Sequence, residues 1–458
     1  MANSQLTKTN PTANTDSRKK GTISFWVKRG ARLSSTNWLY TEYSDSNNAG
    51  TIYFSSAGNL HVISYDSGTT KQRVSTAAKH FDPHGWMHVC FAYDTTLATA
   101  DDRQKLWVNG VAVEVTDRTN PAQNANVWFG VGGSNYPIRI GGNGSSDYFD
   151  GYFAHFHRVD SQALDVSVFG EYDSTTGIWK PKTSPSITYT GTSDFNFFLD
   201  FADSSNLGND VSGENNDLSA SGNMKQTITT PSNIFAVMNP LDSNFQGSSF
   251  SNGNTTVQTV NSVYTWNVAT LGVSKGKYYW EVKYDATSGS NYNLIGIAER
   301  PTISATDYLG SVTSIANYGY YSDNGKVYAK SGTATSYGNS YSAGDIIGVA
   351  LDLDNNKLYF SKNGTWQNSG DPTSGSTGTG AISIDAASST TSGFYFPAFG
   401  DYGSTINITN SINFGTGYFG QTAVSSAGTN SGIGTFEYNV PSGYKALCTK
   451  NINEQEYS

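Results

Sequence analysis

The chain is patterned in short alternating runs. TISFWVK (22–28) alternates apolar and polar positions, and so does WMHVCFAYD (86–94). In the latter, Trp86, His88, Cys90 and Ala92 fall on one face, with Met87, Val89, Phe91 and Tyr93 on the other; this period of two predicts strands. KLWVNGVAVE (105–114) sets Asn109-Gly110 between two β-rich runs, a hairpin signal because both turn residues must accept positive φ. GYFAHFHRV (151–159) reads as a further strand and SQALDVSVFGE (161–171) as one short helix. Pro181, Pro185 and the Ser/Thr around them then mark a boundary.

A second block of strands begins near Pro231. KYYWEVKY (277–284), NLIGIAE (293–299), the pair within DIIGVALDLDNNKLYFSKNGTW (345–366), GFYFPAF (393–399) and SINFG (411–415) make up the set. Asn363-Gly364 marks a second tight hairpin. The Gly/Ser/Thr-rich stretches 331–344 and 369–380 are too polar to bury and are expected as loops at one end of a sandwich. The pattern predicts an all-β chain of two tandem antiparallel β-sandwiches: an N-terminal arm (1–20), a first sandwich (21–230) and a second (231–458) that closes with a C-terminal strand at 434–449.

Composition sharpens this picture. Among 458 residues, 28 Asp stand against 9 Glu, with 48 Gly and 29 Tyr, a balance of turns over helices. Only 14% are charged while 13% are aromatic, which excludes extended disorder and coiled coil. The net charge of −9 and the absence of a basic stripe argue against nucleic acid, since Arg18-Lys19-Lys20 is only a short solvated arm. No apolar run approaches the ~18 residues of a spanning helix, so no membrane insertion is expected. Met1-Ala2-Asn3-Ser4 lacks the order of a signal peptide, so synthesis in a cytoplasm is expected. Cys90 and Cys448 stand far apart, and Cys90 reads as a buried free thiol.

TISFWVK, WMHV…FAYD, LWVNGVAV and GYFAHFHRVDSQAL, in that order, resemble the strands of the laminin G-type, concanavalin A-like jelly roll. At the closing strand Ala154 and His155 replace the acidic pair usual in that family, so a calcium or carbohydrate site built on those acids is not carried over. GKYYWEV, IGIA, GDIIGVALDLDNNKLYFSKNG, FYFPAF and INFG resemble, in order, a SPRY domain, which implies a compact sandwich binding partners through loops at one end. The pairing of modules, with NIFAVMNPLD (233–242) and VPSGYKALCT (440–449), is similar to structural and adhesion proteins of tailed bacteriophages of aquatic bacteria. LDFADSSNLGNDVSGENNDLSASG (199–222) resembles the segment that usually opens the jelly roll, yet here it follows the domain body. A circular permutation is therefore expected, with residues 196–202 supplying an edge strand; an interdomain linker is the competing reading.

Candidate chemistry is sparse. His80, His84 and His88 are spaced as on a helix, but Pro83 and Gly85 break one. His155 and His157 share the period-two spacing some zinc sites use, with solvent-facing residues as the plainer reading. Gly272-Val273-Ser274-Lys275-Gly276 spells a nucleophile elbow, but a strand and not a helix follows it. Gly415-Thr416-Gly417-Tyr418-Phe419-Gly420 lacks the helix a dinucleotide site requires, and Asp352-x-Asp354-x-Asn356 lacks the later ligands of a calcium loop. Glu171-Tyr172-Asp173 begins a glycosidase-like carboxylate pattern, but Thr176 stands where the second glutamate belongs, and the segment reads as a turn. No catalytic residue, metal or cofactor is expected.

Aromatic residues in polar loops are the candidate ligand contacts: Tyr136, Tyr148, Tyr292, Tyr308, Tyr337 and Trp366. With the resemblance, they point to a non-enzymatic virion protein of a tail fibre or capsid surface. Its expected partners are other virion subunits and a host-surface glycan or protein, and a homo-oligomer is possible on this reading. A purely architectural virion protein and a polysaccharide depolymerase are the alternatives.

Overall fold

The computed structural model describes residues 4–30, 35–189, 193–242, 247–403 and 405–457. The chain divides into two compact units, one of residues 1–226 and 230–232 and the other of 227–229 and 233–458.

In the first unit an eight-stranded antiparallel sheet faces a six-stranded one. The six-stranded sheet runs Phe197–Leu199, Gly151–Asp160, Lys20–Arg29, Met87–Asp94, Gln104–Val108, Val111–Ala112. Phe197–Leu199 is thus its edge strand, registered against Phe156–Arg158. The alternation works as physics requires: Val89, Phe91 and Tyr93 enter the core between the sheets, where Phe25 stacks on Phe156 at 4.8 Å. The opposite face is not solvated. Cys90, Ala92 and Trp107 are buried there with Val166 and Phe169 of the returning segment, and the half-buried Trp179 packs against them.

That segment departs from the expected helix. Asp165 caps only a single 3-10 turn, Val166–Val168, and the chain then makes a hairpin from Gly170–Tyr172 and Trp179–Pro181. Val168, Phe169 and Trp179 are drawn onto the sheet, and this burial outweighs a marginal isolated helix. Glu171 and Tyr172 accordingly lie in a strand rather than in a turn. His155 and His157 are not solvent-facing either: a β-bulge places His155 at φ +46°, and His157 stacks on Phe198 at 4.0 Å while its Nδ1 meets the Tyr189 hydroxyl at 2.7 Å. A fully buried Arg158–Glu42 pair, 3.5 Å apart, ties the two sheets together.

In the second unit a nine-stranded sheet centred on Lys277–Thr287 packs against a six-stranded sheet of order Thr265–Val268, Phe396–Asp401, Asn293–Ala298, Asn317–Tyr321, Lys326–Ala329, Thr333–Ser336. Tyr278, Trp280 and Val282 point into the core; Tyr279 points to the other face, under Phe436 and Tyr444 of the C-terminal segment. Glu281, also buried, receives the backbone N–H groups of Glu437 and Tyr438 at 2.8 Å each. The expected C-terminal strand shrinks to Lys445–Ala446, parallel to Tyr278–Tyr279, and an α-helix, Thr449–Glu456, follows it. Pro441 lacks the N–H that a longer ladder would need, and the Glu281 contacts replace such a ladder. Part of the expected loop 331–344 is strand, Thr333–Ser336, at the edge of its sheet. The segments 233–242 and 440–449 meet: Ala236 N donates to Leu447 O at 3.0 Å and Thr449 N to Ile234 O at 2.9 Å.

Candidate functional site

Six tyrosines gather on the outer side of the six-stranded sheet of the second unit. Tyr292 immediately precedes the strand Asn293–Ala298, Tyr321 ends its neighbour, Tyr328 lies in the next, and Tyr264 and Tyr402 flank two others. Tyr308 arrives from the 299–316 connection. Tyr402 is the hub: its ring lies 4.3 Å from Tyr308, 5.3 Å from Tyr321, 5.8 Å from Tyr264, 5.9 Å from Tyr328 and 6.1 Å from Tyr292. The Tyr308, Tyr321 and Tyr292 contacts with it are edge-to-face, the geometry ring quadrupoles favour.

The sheet supports this surface from below. Trp266 is wholly buried, donates its indole N–H to Arg300 O at 2.9 Å, and packs with Leu294, Leu309 and Ala398. Gly310 sits at φ +100° with Tyr328 so close that a Cβ would lie 2.5 Å from its side chain. Tyr321 is buried, whereas the other five rings are half-buried and keep an exposed edge. Burial, then the neighbouring Tyr402 and Tyr328 phenols, pushes the Tyr308 hydroxyl up to about 12. At neutral pH it is an uncharged hydroxyl that both donates and accepts. The result is a rigid aromatic platform edged with hydroxyls, which can grip a partner surface at little conformational cost.

Of the six sequence-chosen rings, the structure brings together only Tyr292 and Tyr308. Tyr136 packs edge-on against Trp128 at 5.5 Å, and Tyr148 lies over Gly142, in separate half-buried settings of the first unit. Trp366 leans on Tyr279 and Tyr359 and remains half-buried. Tyr337 is displaced from the surface altogether: it is buried, and its hydroxyl accepts the Phe360 N–H at 3.0 Å. Its polar neighbours in sequence concealed an inward position at the end of an edge strand. Tyr264, Tyr321, Tyr328 and Tyr402 were missed because each belongs to or abuts a strand, where a ring reads as core. The signal was available in Tyr320-Tyr321, since adjacent strand positions face opposite sides and one of them had to point away from the core.

The first unit presents a Ser–His contact that invites a catalytic interpretation. Ser24 Oγ and His88 Nε2 lie 2.8 Å apart, both buried. Trp179 Nε1, which can only donate, reaches His88 Nδ1 at 3.1 Å. The Nδ1 lone pair is therefore occupied, the proton sits on Nε2, and His88 donates to Ser24. Such a histidine cannot take the serine proton, so the pair is no nucleophile and base. Burial lowers the His88 pKa to about 3. Ser274, in the G-x-S-x-G segment, hydrogen-bonds Glu456 of the C-terminal helix at 3.1 Å, and a strand follows, not a helix. Among the described residues no group of three His, Cys, Asp or Glu is placed to hold a metal ion.

Residues 2–166 match the concanavalin A-like lectin/glucanases superfamily, and residues 277–381 match the SPRY domain. The chain carries a concanavalin A-like domain and a SPRY domain. Ran-binding protein 9 of Danio rerio is 34% identical over 89 residues, which are 19% of this chain and 14% of that protein. The Homo sapiens protein of the same name is also 34% identical over 89 residues, covering 19% of this chain and 12% of the relative. The chain thus spans a small fraction of the length of these relatives. Among solved structures, the SPRY domain of human HERC1 is 18% identical, covers 38% of this chain and 96% of that one, and has a TM-score of 0.28. A SAP-like pentraxin from Limulus polyphemus is 17% identical, covers 35% of this chain and 71% of that one, and has a TM-score of 0.26.

Proposed function

We propose that this chain is a non-enzymatic binding protein whose SPRY domain engages a macromolecular partner through the Tyr264–Tyr402 platform. The single observation that carries the reading is the convergence of six tyrosines on one supported surface, five of them with exposed edges. Side chains of this kind supply large contact area with few rotamers to freeze. The biological setting we propose is the particle of a tailed bacteriophage, on a tail fibre or capsid surface. There the platform would hold a host-surface protein or glycan, and other virion subunits would anchor the chain. The phage-like segments 233–242 and 440–449 support that setting. Weak individual contacts would be multiplied by copy number.

The test uses the intact chain, fluorescently labelled and clustered on beads, against a panel of aquatic bacteria. Saturable binding that falls at least about tenfold with Tyr308→Ala or Tyr402→Ala supports adhesion through this surface. No binding by folded, clustered protein to any cell, together with binding to purified virion subunits, would replace adhesion by the architectural role. Release of reducing ends from host polysaccharide would replace it by a depolymerase.

A further inference from the structure

In the concanavalin A-like domain, Lys28 Nζ, Trp86 Nε1 and His84 Nδ1 are each shut off from solvent without a hydrogen-bond partner. They belong to one neighbourhood. Val27 enters the core between the sheets, so Lys28, next in the same strand, faces the other way. It pairs in register with Tyr152, and its Nζ lies 4.9 Å from that ring. Trp86, one residue before the strand Met87–Asp94, lies 6.3 Å from the same ring. His84 stands two residues earlier, and burial, then the charge of Lys28, lowers its pKa.

Donors here lack acceptors. An ammonium and an indole N–H only donate, and Lys28 and Trp86 are both buried. Asp82, the carboxylate that acts on Lys28, does so through space. It is exposed, and its oxygens accept the backbone N–H groups of His84 at 2.8 Å and Gly85 at 3.2 Å. On the strand side the ionisable groups are Tyr152 and Asp150, and burial, then the charge of Asp150, raises the Tyr152 phenol. Burial, against the pull of Asp82, lowers the Lys28 pKa to about 7. Buried donors left unpaired are costly. A water molecule would accept from two of them and bring no charge to face the ammonium.

We propose that Lys28, Trp86 and His84 hold a small monovalent anion, a halide or a planar ion such as nitrate or formate. The ammonium supplies the opposite charge, and the indole N–H supplies direction. His84 joins as the tautomer protonated on Nδ1, which neutral imidazole adopts freely. A multivalent anion is disfavoured because stripping its water in a closed site costs more than one ammonium returns. Asp82 opposes the anion only weakly, since solvent screens an exposed carboxylate. The bound ion would tie residues 84–86 to the central strand Lys20–Arg29 of the six-stranded sheet. The site lies in the other domain from the tyrosine platform and does not depend on that reading or on the virion setting.

The experiment is NMR on the intact chain with isotope-labelled lysine, the Lys28 signal being the one lost in Lys28→Met. Its pH titration is compared in sodium sulfate and in chloride, bromide, nitrate and formate at equal ionic strength; the halide and planar arms tell the two ion shapes apart. At least one monovalent anion is expected to raise the Lys28 midpoint by about one pH unit, a tenfold change in proton affinity, with the other lysines unmoved. The rise should shrink in Trp86→Phe and grow in Asp82→Asn. The melting temperature of the domain should climb with the same anion in the unsubstituted chain and in the surface control Lys105→Met, but not in Lys28→Met. The proposal is overturned if no anion moves the midpoint, if all lysines move alike, or if the rise survives Trp86→Phe undiminished. A midpoint that falls in Asp82→Asn and that no anion restores would also overturn it, assigning Lys28 to a water-bridged pair with Asp82. Tyr308→Ala should change none of these readings.

Discussion

Acidification should loosen one domain while tightening the other. All six histidines, at 61, 80, 84, 88, 155 and 157, lie in the concanavalin A-like domain, and burial lowers the pKa of every one. A group depressed on folding contributes stability that is present above its unfolded pKa, ~6.5, and lost as pH falls toward its folded value. For His88, whose folded value is about 3, moving from pH 7 to 5 removes about 2 kcal/mol. His157, whose pKa burial pushes well down, acts in the same direction. The four less buried histidines act in the same direction by less, because solvent screens them. Glu42, raised by burial against the pull of Arg158, is the one opposing group of note in that domain.

The SPRY domain has no histidine, and two of its buried carboxyls, Glu281 and Asp401, are each raised by burial to about 7. A raised group contributes stability that is complete below its unfolded pKa, ~4, and is lost as pH climbs through its folded value. Going from pH 7 to 5 therefore restores about 2 kcal/mol for each carboxyl. Asp345 and Asp371 are shifted the other way and titrate below this window. Hydrogen exchange read by mass spectrometry, corrected for intrinsic rates, resolves the domains within the intact chain. Protection in Met87–Asp94 should fall between pH 7 and 5 while protection in Lys277–Thr287 rises. Movement of both strands in the same direction would refute the electrostatic reasoning.

Further substitutions test individual contacts. Trp179→Phe leaves the buried His88 Nδ1 unpaired and should cost about 1–2 kcal/mol in urea denaturation, with faster proteolysis of 161–189. Arg158→Met strands Glu42 in the core and should cost about 3–5 kcal/mol; substituting both members of the pair should restore much of it. Glu456→Ala removes the bonds to Ser274 N and Oγ and should destabilise by about 1–2 kcal/mol, read as fraying of Thr449–Glu456 in hydrogen exchange.

The strands were legible because two faces with different neighbours write alternation into a sequence. Ile23, Phe25 and Val27 had to be inward, and Asn109-Gly110 turns at φ +49° and +80° as the pair requires. What failed to show was structure that depends on distant partners. The hairpin 170–181 has three-residue strands, too short to alternate, and exists because Trp179 finds His88 across 91 residues of chain. The C-terminal helix has a polar composition and is held by contacts of Gln455 and Glu456 with residues 274–277. The tyrosine platform was half visible: loop context pointed to Tyr292 and Tyr308, but not to the strand residues that surround them, and the same context misplaced Tyr337.

Gly110, at φ +80°, lies so near Trp179 that a Cβ would approach its ring to 2.5 Å, and this contact sets which positions of the hairpin of Gly170–Tyr172 with Trp179–Pro181 tolerate change. Residue 110 admits no side chain, and Trp179 cannot leave without unpairing a buried histidine, so neither position is free to vary. Val111 and Ile178, by contrast, stand exposed beside them. Substitutions at those two positions are therefore expected to leave the Trp179–His88 frame intact.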